Sequence, residues 1–504
     1  MRASTFERSN WIAALAVFLS VAGFLQAASP ASKTNLPLST PEEQGISSGD
    51  LCRLIAAANT AFQSPHGIVI VRHGRVVLQG WWSPYSEGEP HSLYSLSKSF
   101  TSTAVGLAQA EGKLSIDDPV LKFFPEKTPI FPSENLRAMR VRDLLRMVTG
   151  QRETDISTFP FHSNLDLAQA FLETPVPDKP GTHFVYNTAA TYMLSAIVQK
   201  VTGQSVLDYL RPRLFEPLGI ENPTWEASAQ GVSLGGFGLS IRTNDIAKFG
   251  QLYLQRGNWL GKQLVPSEWV DQASSLQTSN GSDPKSDWSQ GYGFQFWRCR
   301  HGFYRGDGAF GQYCIVMPQY DAVVAINSAT KDMQAELDTL WDILVPAFHA
   351  EPLQPDPEGD ARLAGLLGAL CLRTQEGSAT SSTAGAVSGR TYVLEPNPLG
   401  LVSVSLETAQ GGTNTVTVTT REGTSRLPCG FGSWSKAMRG SEPVAATGAW
   451  TSGDTYSFKL CGYRTPFIDS FDLRFSGDHL ILEHEVNVSL DGTPRVRVGG
   501  DVKR

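Results

Sequence analysis

The sequence contains little cysteine and lacks the common metal and nucleotide motifs, and each shortage excludes a class of protein. Six cysteines in 504 residues are too few for a disulfide-stapled scaffold. No Cys-x-x-Cys pair, no His-Glu-x-x-His sequence and no Gly-Lys-Ser/Thr ending occurs, which argues against zinc sites, zinc proteases and P-loop proteins. The nine histidines show no metal-ligand spacing. We therefore expect neither a metal nor another cofactor.

The charge balance also narrows the range of partners. The chain carries 42 basic and 49 acidic residues, a net charge of −7. Nucleic acid and anionic membrane surfaces require a basic face, so neither is expected as the main partner. Apolar residues make up 41% of the chain, enough for a large core, and the length predicts two or more domains.

The first 27 residues have the pattern of a signal peptide. Arg2 and Arg8 precede an uncharged apolar run over residues 11–25, and small residues follow it. This run has 15 residues, short of the ~20 that a membrane-spanning helix needs. The pattern predicts cleavage after residue 27, export to the periplasm or medium, and no membrane span in the mature protein. An uncleaved N-terminal anchor is the alternative.

The remaining chain divides into a tether, a mixed domain, a linker and a strand-rich domain. Residues 28–42 are rich in Pro, Ser and Thr and indicate a tether. Residues 43–350 have strand patterns at both ends and helical patterns between them. This order predicts an α+β fold, an antiparallel sheet flanked by a helical region. Residues 351–388 indicate a linker region, at which the domains should separate, and residues 389–504 predict a small all-β barrel or sandwich.

The cysteines leave the disulfide state open. Cys299 and Cys314 flank a possible strand–turn–strand, and Cys429 and Cys461 lie in the strand-rich region. Either pair could form a disulfide in an exported protein, and buried free thiols are the alternative.

Two kinds of serine motif are candidates for a nucleophile. Residues 45–49 match G-x-S-x-G, but that motif needs a preceding strand, and a Pro-rich segment precedes it here, so Ser47 is better explained as a helix cap. The S-x-x-K motif occurs four times, at Ser95/Lys98, Ser282/Lys285, Ser328/Lys331 and Ser433/Lys436. Only the first of these begins a long helix with an apolar stripe.

The Ser95/Lys98 pair has the spacing that serine catalysis requires. On a helix, residues three apart lie on one face, so Ser95 Oγ and Lys98 Nζ are expected to meet. The helix N-terminus offers the Ser95 amide to a developing oxyanion. A lysine in a dry pocket loses its proton readily and can then act as a base. An ordinary capped helix with a solvated lysine is the alternative.

The surrounding residues resemble those of a known family. The matching stretches are 93–102 (LYSLSKSFTS), 111–119 (EGKLSIDDP), 141–147 (VRDLLRM), 180–187 (PGTHFVYN), 215–220 (FEPLGI), 236–239 (GFGL) and 311–313 (GQY) ahead of Pro318. Together they resemble the serine β-lactamase and penicillin-binding-protein-like family, most closely its class C branch of esterases, D-aminopeptidases and 6-aminohexanoate-oligomer hydrolases. The resemblance covers about residues 40–350.

The resemblance implies further site residues. Tyr186 occupies the Tyr-x-Asn motif, which implies proton transfer with Lys98 and a phenol pKa lowered by nearby cations. The motif's Asn position holds Thr188, with Asn187 before it, so the substrate-orienting role is open between them. The third motif corresponds to residues 304–312, which contain no Lys and no His. There the N–H of Ala309, beside Gly308, is the expected second oxyanion donor. The missing lysine favours an esterase or amidase over a β-lactamase.

These features predict a secreted serine hydrolase that cleaves a small-molecule ester or amide through an acyl-enzyme on Ser95. β-Lactamase or D-aminopeptidase activity is an alternative, and so is a non-catalytic penicillin-binding-like sensor. The C-terminal domain weakly resembles the lipocalin-like domains that follow such hydrolases. It could also serve as a ligand- or wall-binding module through Trp434, Trp450 and residues 463–467 (YRTPF), although aromatic residues of the barrel core are the favoured interpretation of these positions. The oligomeric state is left open.

Overall fold

The computed structural model describes residues 35–409, 413–490, 492 and 494–503. The signal peptide predicted over residues 1–27 and residues 28–34 of the tether lie outside the described residues. Export and cleavage therefore stay predictions. Among the described helices, none has the length and apolar character needed to cross a membrane.

The strands of the first domain build one main sheet and two small ones. In chain order they are β1 Pro65–Arg72, β2 Arg75–Trp81, β3 His91–Ser92, β4 Thr224–Trp225, β5 Leu239–Ile241, β6 Asn258–Trp259, β7 Lys262–Gln263, β8 Trp297–Arg298, β9 Tyr304–Gly308, β10 Gln312–Met317 and β11 Ala322–Ser328. The main sheet has the order β2-β1-β11-β10-β9-β8, and all its pairs are antiparallel. Strands from both ends of the domain therefore share one sheet, as the sequence predicts.

The helices lie mainly in the first domain. They are α1 Ser48–Ala61, α2 Ser97–Ala110, α3 Glu134–Ala138, α4 Val141–Leu145, α5 Glu153–Ile156, α6 Leu167–Glu173, α7 Thr188–Thr202, α8 Val206–Leu210, α9 Glu216–Leu218, α10 Thr243–Leu254, α11 Ser267–Ser274, α12 Met333–Ala347, α13 Pro357–Gly368 and α14 Ala384–Val387. Helices α1 to α12 belong to the first domain and cover its sheet, whereas α13 and α14 follow it and α14 packs in the core of the barrel. Ser47 caps α1 by accepting a hydrogen bond from the Asp50 amide, the role that the sequence predicts for it.

The period of two along β1 distributes its side chains between two cores. Ile68 and Ile70 face the core that includes α1 and α12, whereas Val69 and Val71 face the core that includes α2, α7 and α10. Both faces of the sheet are thus covered, which explains the unbroken apolar run of β1. Helix α2 lies deep in the second core, and every residue from Ser97 to Ala108 is buried.

The C-terminal domain is a closed barrel. Its strands are β12 Thr391–Leu394, β13 Leu401–Glu407, β14 Asn414–Thr420, β15 Thr424–Gly430, β16 Ser435–Arg439, β17 Glu442–Trp450, β18 Thr455–Cys461, β19 Ile468–Ser476, β20 His479–Val486 and β21 Val496–Val502. They form a sheet of ten strands that closes where β15 pairs in parallel with β17. The predicted fold class, an α+β domain followed by an all-β barrel, is confirmed. All six cysteines are free.

The segment between the two domains makes specific contacts with the first domain. The Leu370 carbonyl accepts a hydrogen bond from the Ser83 amide (3.1 Å), and the Leu372 amide donates to the Ser83 carbonyl (2.9 Å). Leu363 of α13 packs in the core beneath α1. The predicted domain boundaries and the predicted separation at the linker stay predictions, but the segment that follows residue 351 is packed on the first domain.

Candidate active site

Ser95 lies in a turn that leads directly into α2. The turn is a 3-10 helix over Tyr94–Leu96, and α2 begins at the next residue. Strand β5 fixes this junction, because Leu239 accepts a hydrogen bond from the Leu93 amide (2.9 Å) and its own amide donates to Ser97 Oγ (3.2 Å). The Ser95 side chain is partly exposed, whereas the helix behind it is buried. The nucleophile candidate is thus a fixed group at the surface of a rigid element.

Lys98 reaches Ser95 as the i, i+3 spacing predicts. Its Nζ lies 2.9 Å from Ser95 Oγ, 3.2 Å from Thr188 Oγ1 and 2.8 Å from the Gly236 carbonyl oxygen. Burial lowers the pKa of Lys98 to about 7, although the Asp307 carboxylate acts in the opposite direction. The Gly236 carbonyl can only accept, and Thr188 can also accept. A neutral Lys98 can therefore donate to these two oxygens and direct its lone pair at the Ser95 hydroxyl.

Tyr186 also lies beside Lys98, and it directly precedes Asn187, the residue that caps α7. Lys98 Nζ is 4.9 Å from the centre of the Tyr186 ring, and this ring stacks on Trp297. Burial raises the pKa of Tyr186 above its ordinary value, and its hydrogen bond to Ser95 only partly offsets this effect. The direction is opposite to the expected lowering by cations. Tyr186 is therefore a neutral phenol that can donate a proton but holds it tightly.

Asn187 and Thr188, the two candidates for the Asn position of the Tyr-x-Asn motif, lie in different surroundings. Asn187 is fully buried and caps α7, with its Oδ1 accepting from the Ala190 amide (3.1 Å) and its Nδ2 donating to Gln151 (2.7 Å). It does not line the cavity beside Ser95. Thr188 lines that cavity and contacts Lys98. The structure thus brings Thr188, not Asn187, to Ser95 and Lys98.

Strand β9 approaches the Ser95 turn at two glycines. A Cβ on Gly308 would lie 2.1 Å from the Leu93 carbonyl oxygen, and one on Gly306 would lie 2.2 Å from Leu96 Cδ1. Only glycine permits this approach. Ala309 follows directly and lines the same cavity as Ser95. Gly308, predicted as a site residue, therefore acts through close packing of the backbone.

Two backbone N–H groups are available to an oxyanion. Within the described ranges, neither the Ser95 N–H nor the Ala309 N–H has a protein acceptor. Unused donors of this kind beside a nucleophile can stabilise the charge of a tetrahedral intermediate. Both donors have a neighbour with unusual backbone, because Tyr94 has φ 48° and Phe310 has φ 68°. For bulky residues this left-handed conformation costs about 1–3 kcal/mol each.

Arg305, the one basic residue of the stretch 304–312, does not face the cavity. It is fully buried, and its guanidinium pairs with Asp307 at 2.7 Å. It also lies over the Trp288 ring, 4.5 Å from the ring centre. Only Asp307 of this pair lines the cavity. The guanidinium therefore compensates Asp307 and does not face a substrate.

Ser95 opens into a cavity of about 800 Å³ with a largely apolar wall that includes several aromatic rings. Its lining includes Phe161, Phe237, Trp288, Trp297, Met333 and Leu490, besides Ser95, Tyr186, Thr188 and Ala309. The described residues of this wall include no lysine and no arginine, whereas Glu226 and Asp307 supply carboxylates and His162 supplies an imidazole. In the part of the chain that the structure covers, no group of three His, Cys, Asp or Glu side chains could hold a metal ion.

Some site residues have no clear signal in the sequence. Gly236 contributes only a carbonyl, and Asp307 lies in a strand whose motif lacks the usual cation. Leu490 belongs to the barrel and reaches the cavity from the β20–β21 connection. The motif at residues 236–239 was the one available indication for Gly236. Leu490 has no such indication, because a single leucine in a loop carries no pattern.

Replacing Gly308 with alanine tests the close approach of β9 to the Ser95 turn. The new Cβ would overlap the Leu93 carbonyl oxygen, so we expect a loss of at least ~1–3 kcal/mol in the free energy of unfolding. Activity should fall as well, because Ala309 would move. Gly88→Ala is the matched control, since nothing lies within 4 Å of its Cβ position. Urea denaturation of both variants gives the comparison, and equal stability would contradict the packing argument.

Comparison with known proteins identifies the family of the domain that contains Ser95. A model of the beta-lactamase family matches residues 62–345. The 6-aminohexanoate-dimer hydrolase of Paenarthrobacter ureafaciens is 24% identical over 285 residues, 52% of this chain and 72% of that protein. An uncharacterized protein of Alkalihalophilus pseudofirmus is 23% identical over 242 residues, 42% of this chain and 65% of that protein.

A solved structure shows the same fold. It comes from Bacillus anthracis, carries the provisional name of a 6-aminohexanoate-dimer hydrolase, and is 20% identical to this chain. It aligns with a TM-score of 0.51 over 64% of this chain and 89% of its own. The family match covers more than half of the chain and includes Ser95, Lys98 and Tyr186. The protein therefore belongs to the beta-lactamase family.

Proposed function

We propose that this protein is a serine hydrolase that cleaves an ester or amide through an acyl-enzyme on Ser95. The observation that carries the proposal is the 2.9 Å contact between Lys98 Nζ and Ser95 Oγ, made by a buried lysine whose pKa is about 7. A lysine that is largely neutral near pH 7 can remove the proton of a serine hydroxyl. Tyr186 and two free backbone N–H groups supply the general acid and the oxyanion donors.

Acylation uses these groups in a fixed order. Neutral Lys98 accepts the hydroxyl proton while Ser95 Oγ forms a bond to the substrate carbonyl carbon. The carbonyl oxygen becomes an oxyanion, which accepts hydrogen bonds from the N–H groups of Ser95 and Ala309. The C–O or C–N bond of the substrate then breaks. The leaving alcohol or amine takes a proton from the Tyr186 phenol, which regains one from the Lys98 ammonium.

Deacylation repeats the same steps with water as the nucleophile. A water molecule that attacks the acyl carbon gives its proton to Lys98, and the same two N–H groups stabilise the second oxyanion. The bond to Ser95 Oγ breaks, and the serine regains a proton from the ammonium. No further acid or base is needed.

The cavity favours a neutral substrate with an apolar acyl group. Its wall is mainly apolar, and Lys98 is buried behind Ser95, where Nζ is occupied by Ser95, Thr188 and the Gly236 carbonyl. A substrate carboxylate, such as that of a β-lactam antibiotic, would face Glu226 and Asp307 without a lysine or an arginine to bind it. We therefore infer an esterase or amidase rather than a β-lactamase.

A D-aminopeptidase is the second candidate, because of Glu226. This side chain lines the cavity, and no ion pair or side-chain hydrogen bond engages it among the residues described. A carboxylate at that position suits the free ammonium of an amino-acid amide. Comparing D-alanine p-nitroanilide with its N-acetyl form separates the candidates, since only an aminopeptidase prefers the free amine.

The test of the proposed function is a substrate panel combined with covalent labelling. p-Nitrophenyl esters of two to eight carbons, nitrocefin and D-amino-acid p-nitroanilides are incubated with the full chain. We expect turnover of the short esters, little turnover of nitrocefin, and stoichiometric labelling by a fluorophosphonate. A chain that neither reacts with the fluorophosphonate nor hydrolyses any of these compounds would support the non-catalytic sensor instead.

Leu490 is expected to limit the acyl chain. Leu490→Ala removes apolar bulk from the cavity wall, so the preference among p-nitrophenyl esters should shift toward longer chains by roughly tenfold, since one methylene contributes about 1–3 kcal/mol to discrimination. Leu260→Ala is the control, because both leucines are 71% exposed and Leu260 does not line the cavity. The ratio of kcat/KM for octanoate and acetate esters measures the shift. An unchanged ratio would exclude Leu490 from the substrate site.

A further inference from the structure

Both proposed oxyanion donors depend on a strained neighbour. The Ser95 N–H follows Tyr94 (φ 48°), and the Ala309 N–H precedes Phe310 (φ 68°). A bulky residue with positive φ persists only where its surroundings hold it. The direction of each N–H depends on the backbone beside it. Whatever holds the Tyr94 and Phe310 side chains therefore also holds the two donors.

One aromatic side chain from the barrel contacts both neighbours. The Phe467 ring centre lies 6.4 Å from that of Tyr94 and 6.1 Å from that of Phe310, with the rings at 82° and 67°. Tyr94 and Phe310 contact each other edge to face at 5.4 Å. These distances and angles are those of favourable aromatic pairs. Val488, also from the barrel, is buried in the same cluster.

The loop that carries Phe467 is fixed at both ends. Within the barrel, the Gly462 amide donates to the Phe467 carbonyl (3.1 Å), and Asn487 donates to the Pro466 carbonyl (3.0 Å). Across the domain boundary, the Arg464 carbonyl accepts from the Ser92 amide (2.9 Å). These bonds hold the loop rigidly against Ser92, which lies three residues before the nucleophile Ser95.

The Arg464 and Thr465 segment is further fastened to the first domain by side chains. The Arg464 guanidinium pairs with the Glu89 carboxylate (2.6 Å), and the Tyr85 hydroxyl donates to the Thr465 carbonyl (2.8 Å). The Tyr85 side chain is buried, so this second bond is shielded from water. The Phe467 loop is therefore held in place by hydrogen bonds and an ion pair to the first domain.

We propose that Phe467 of the C-terminal barrel is a positioning residue that orients the oxyanion donors of Ser95 and Ala309 through the rings of Tyr94 and Phe310. This inference rests on the proposed function, since it assumes an oxyanion at these donors. It gives the barrel a part in the reaction: the first domain supplies the reacting groups, and the barrel sets their geometry.

The test compares Phe467→Ala with Phe467→Tyr and Phe471→Ala in the full chain. Phe467→Ala should lower kcat for p-nitrophenyl acetate about 10- to 100-fold, because a small displacement of catalytic groups has an effect of that size, with KM changed less than ~3-fold. Inhibition by phenylboronic acid, which forms a tetrahedral adduct on serine, should weaken by a similar factor. Phe467→Tyr keeps the ring and should retain nearly full activity.

Phe471→Ala is the matched control for loss of an aromatic ring from the barrel. Phe471 is also half-buried, and it stacks on Phe458 at 4.7 Å, away from the Tyr94 cluster. It should lower the melting temperature but leave kcat and boronate inhibition unchanged. Equal losses of kcat in both alanine variants would overturn the proposal, because they would reflect general destabilisation. Wild-type kcat in Phe467→Ala would overturn it as well.

Two further measurements keep the result decisive. If Phe467→Ala does not fold, Phe467→Leu retains apolar bulk without the ring and should give an intermediate loss of kcat; wild-type kcat and boronate affinity in that variant would refute the proposal. Fluorophosphonate labelling separates this inference from the proposed function. Label on Ser95 in the wild type with unchanged kinetics in the Phe467 variants rejects the positioning role alone. Absence of label on Ser95 in the wild type rejects the proposed function itself.

Discussion

Ser95→Ala is expected to abolish both turnover and fluorophosphonate labelling, since it removes the serine hydroxyl that the candidate base Lys98 contacts. Lys98 Nζ lies 2.9 Å from Ser95 Oγ, whereas Ser92, the other serine of the cavity lining, makes no contact with Lys98 among the described residues. Loss of the nucleophile of a catalytic unit lowers kcat by about 10⁶-fold in comparable enzymes. Mass spectrometry of a labelled tryptic digest, with rates measured on the same samples, gives the direct reading.

The other candidate serines provide the controls. Ser47→Ala removes only the cap of α1, and Ser433→Ala changes a residue of the barrel, so both variants should keep rates near wild type. The cap variant should instead lose about 1 kcal/mol of stability. Label on a serine other than Ser95, or full activity in Ser95→Ala, would refute the assignment of the nucleophile.

The sequence predicts those parts of the site that depend on local geometry. Ser95 and Lys98 are three residues apart on one element, so a helical turn brings them together whatever surrounds it. The antiparallel sheet follows from strand patterns at both ends of the first domain. Gly308 is identifiable because a glycine beside a motif indicates close backbone approach. In each case the deciding information lies within a few residues.

The parts that were missed depend on the whole fold. Asn187 and Thr188 are adjacent, and only the start of α7 decides that the first becomes a buried cap and the second contacts Lys98. The family resemblance predicts that nearby cations lower the pKa of Tyr186. This pKa rises because burial, to which many distant residues contribute, is the larger effect.

The role of the barrel was the least accessible feature. Phe467 and Leu490 are separated from Ser95 by more than 370 residues, and nothing in the sequence connects either of them with the Ser95 site. The segment before the barrel has the Pro-rich composition of a linker. This composition favours the interpretation that the two domains are independent. Contacts such as the bond between the Ser92 amide and the Arg464 carbonyl can be found only in three dimensions.

The pH dependence of the reaction should follow the titration of Lys98. Because its pKa is lowered to about 7, the neutral form that acts as a base increases as the pH rises through that value. We therefore expect kcat/KM for p-nitrophenyl acetate to rise tenfold per pH unit below about pH 7 and to level off above it. Lys98→Ala should remove this limb and lower kcat by ~10²–10⁴-fold or more.

Asp307→Asn tests whether the titration of Lys98 produces the acid limb of the pH profile. The Asp307 carboxylate favours the charged form of Lys98, so its neutralisation should lower the pKa of Lys98 further and move the acid limb to lower pH. Lys248→Ala is the control, because Lys248 is also a buried lysine but pairs with Asp245 at the start of α10. It should change stability and leave the limb in place. A limb that stays in place in Asp307→Asn, or moves in Lys248→Ala, would show that a group other than Lys98 controls the reaction.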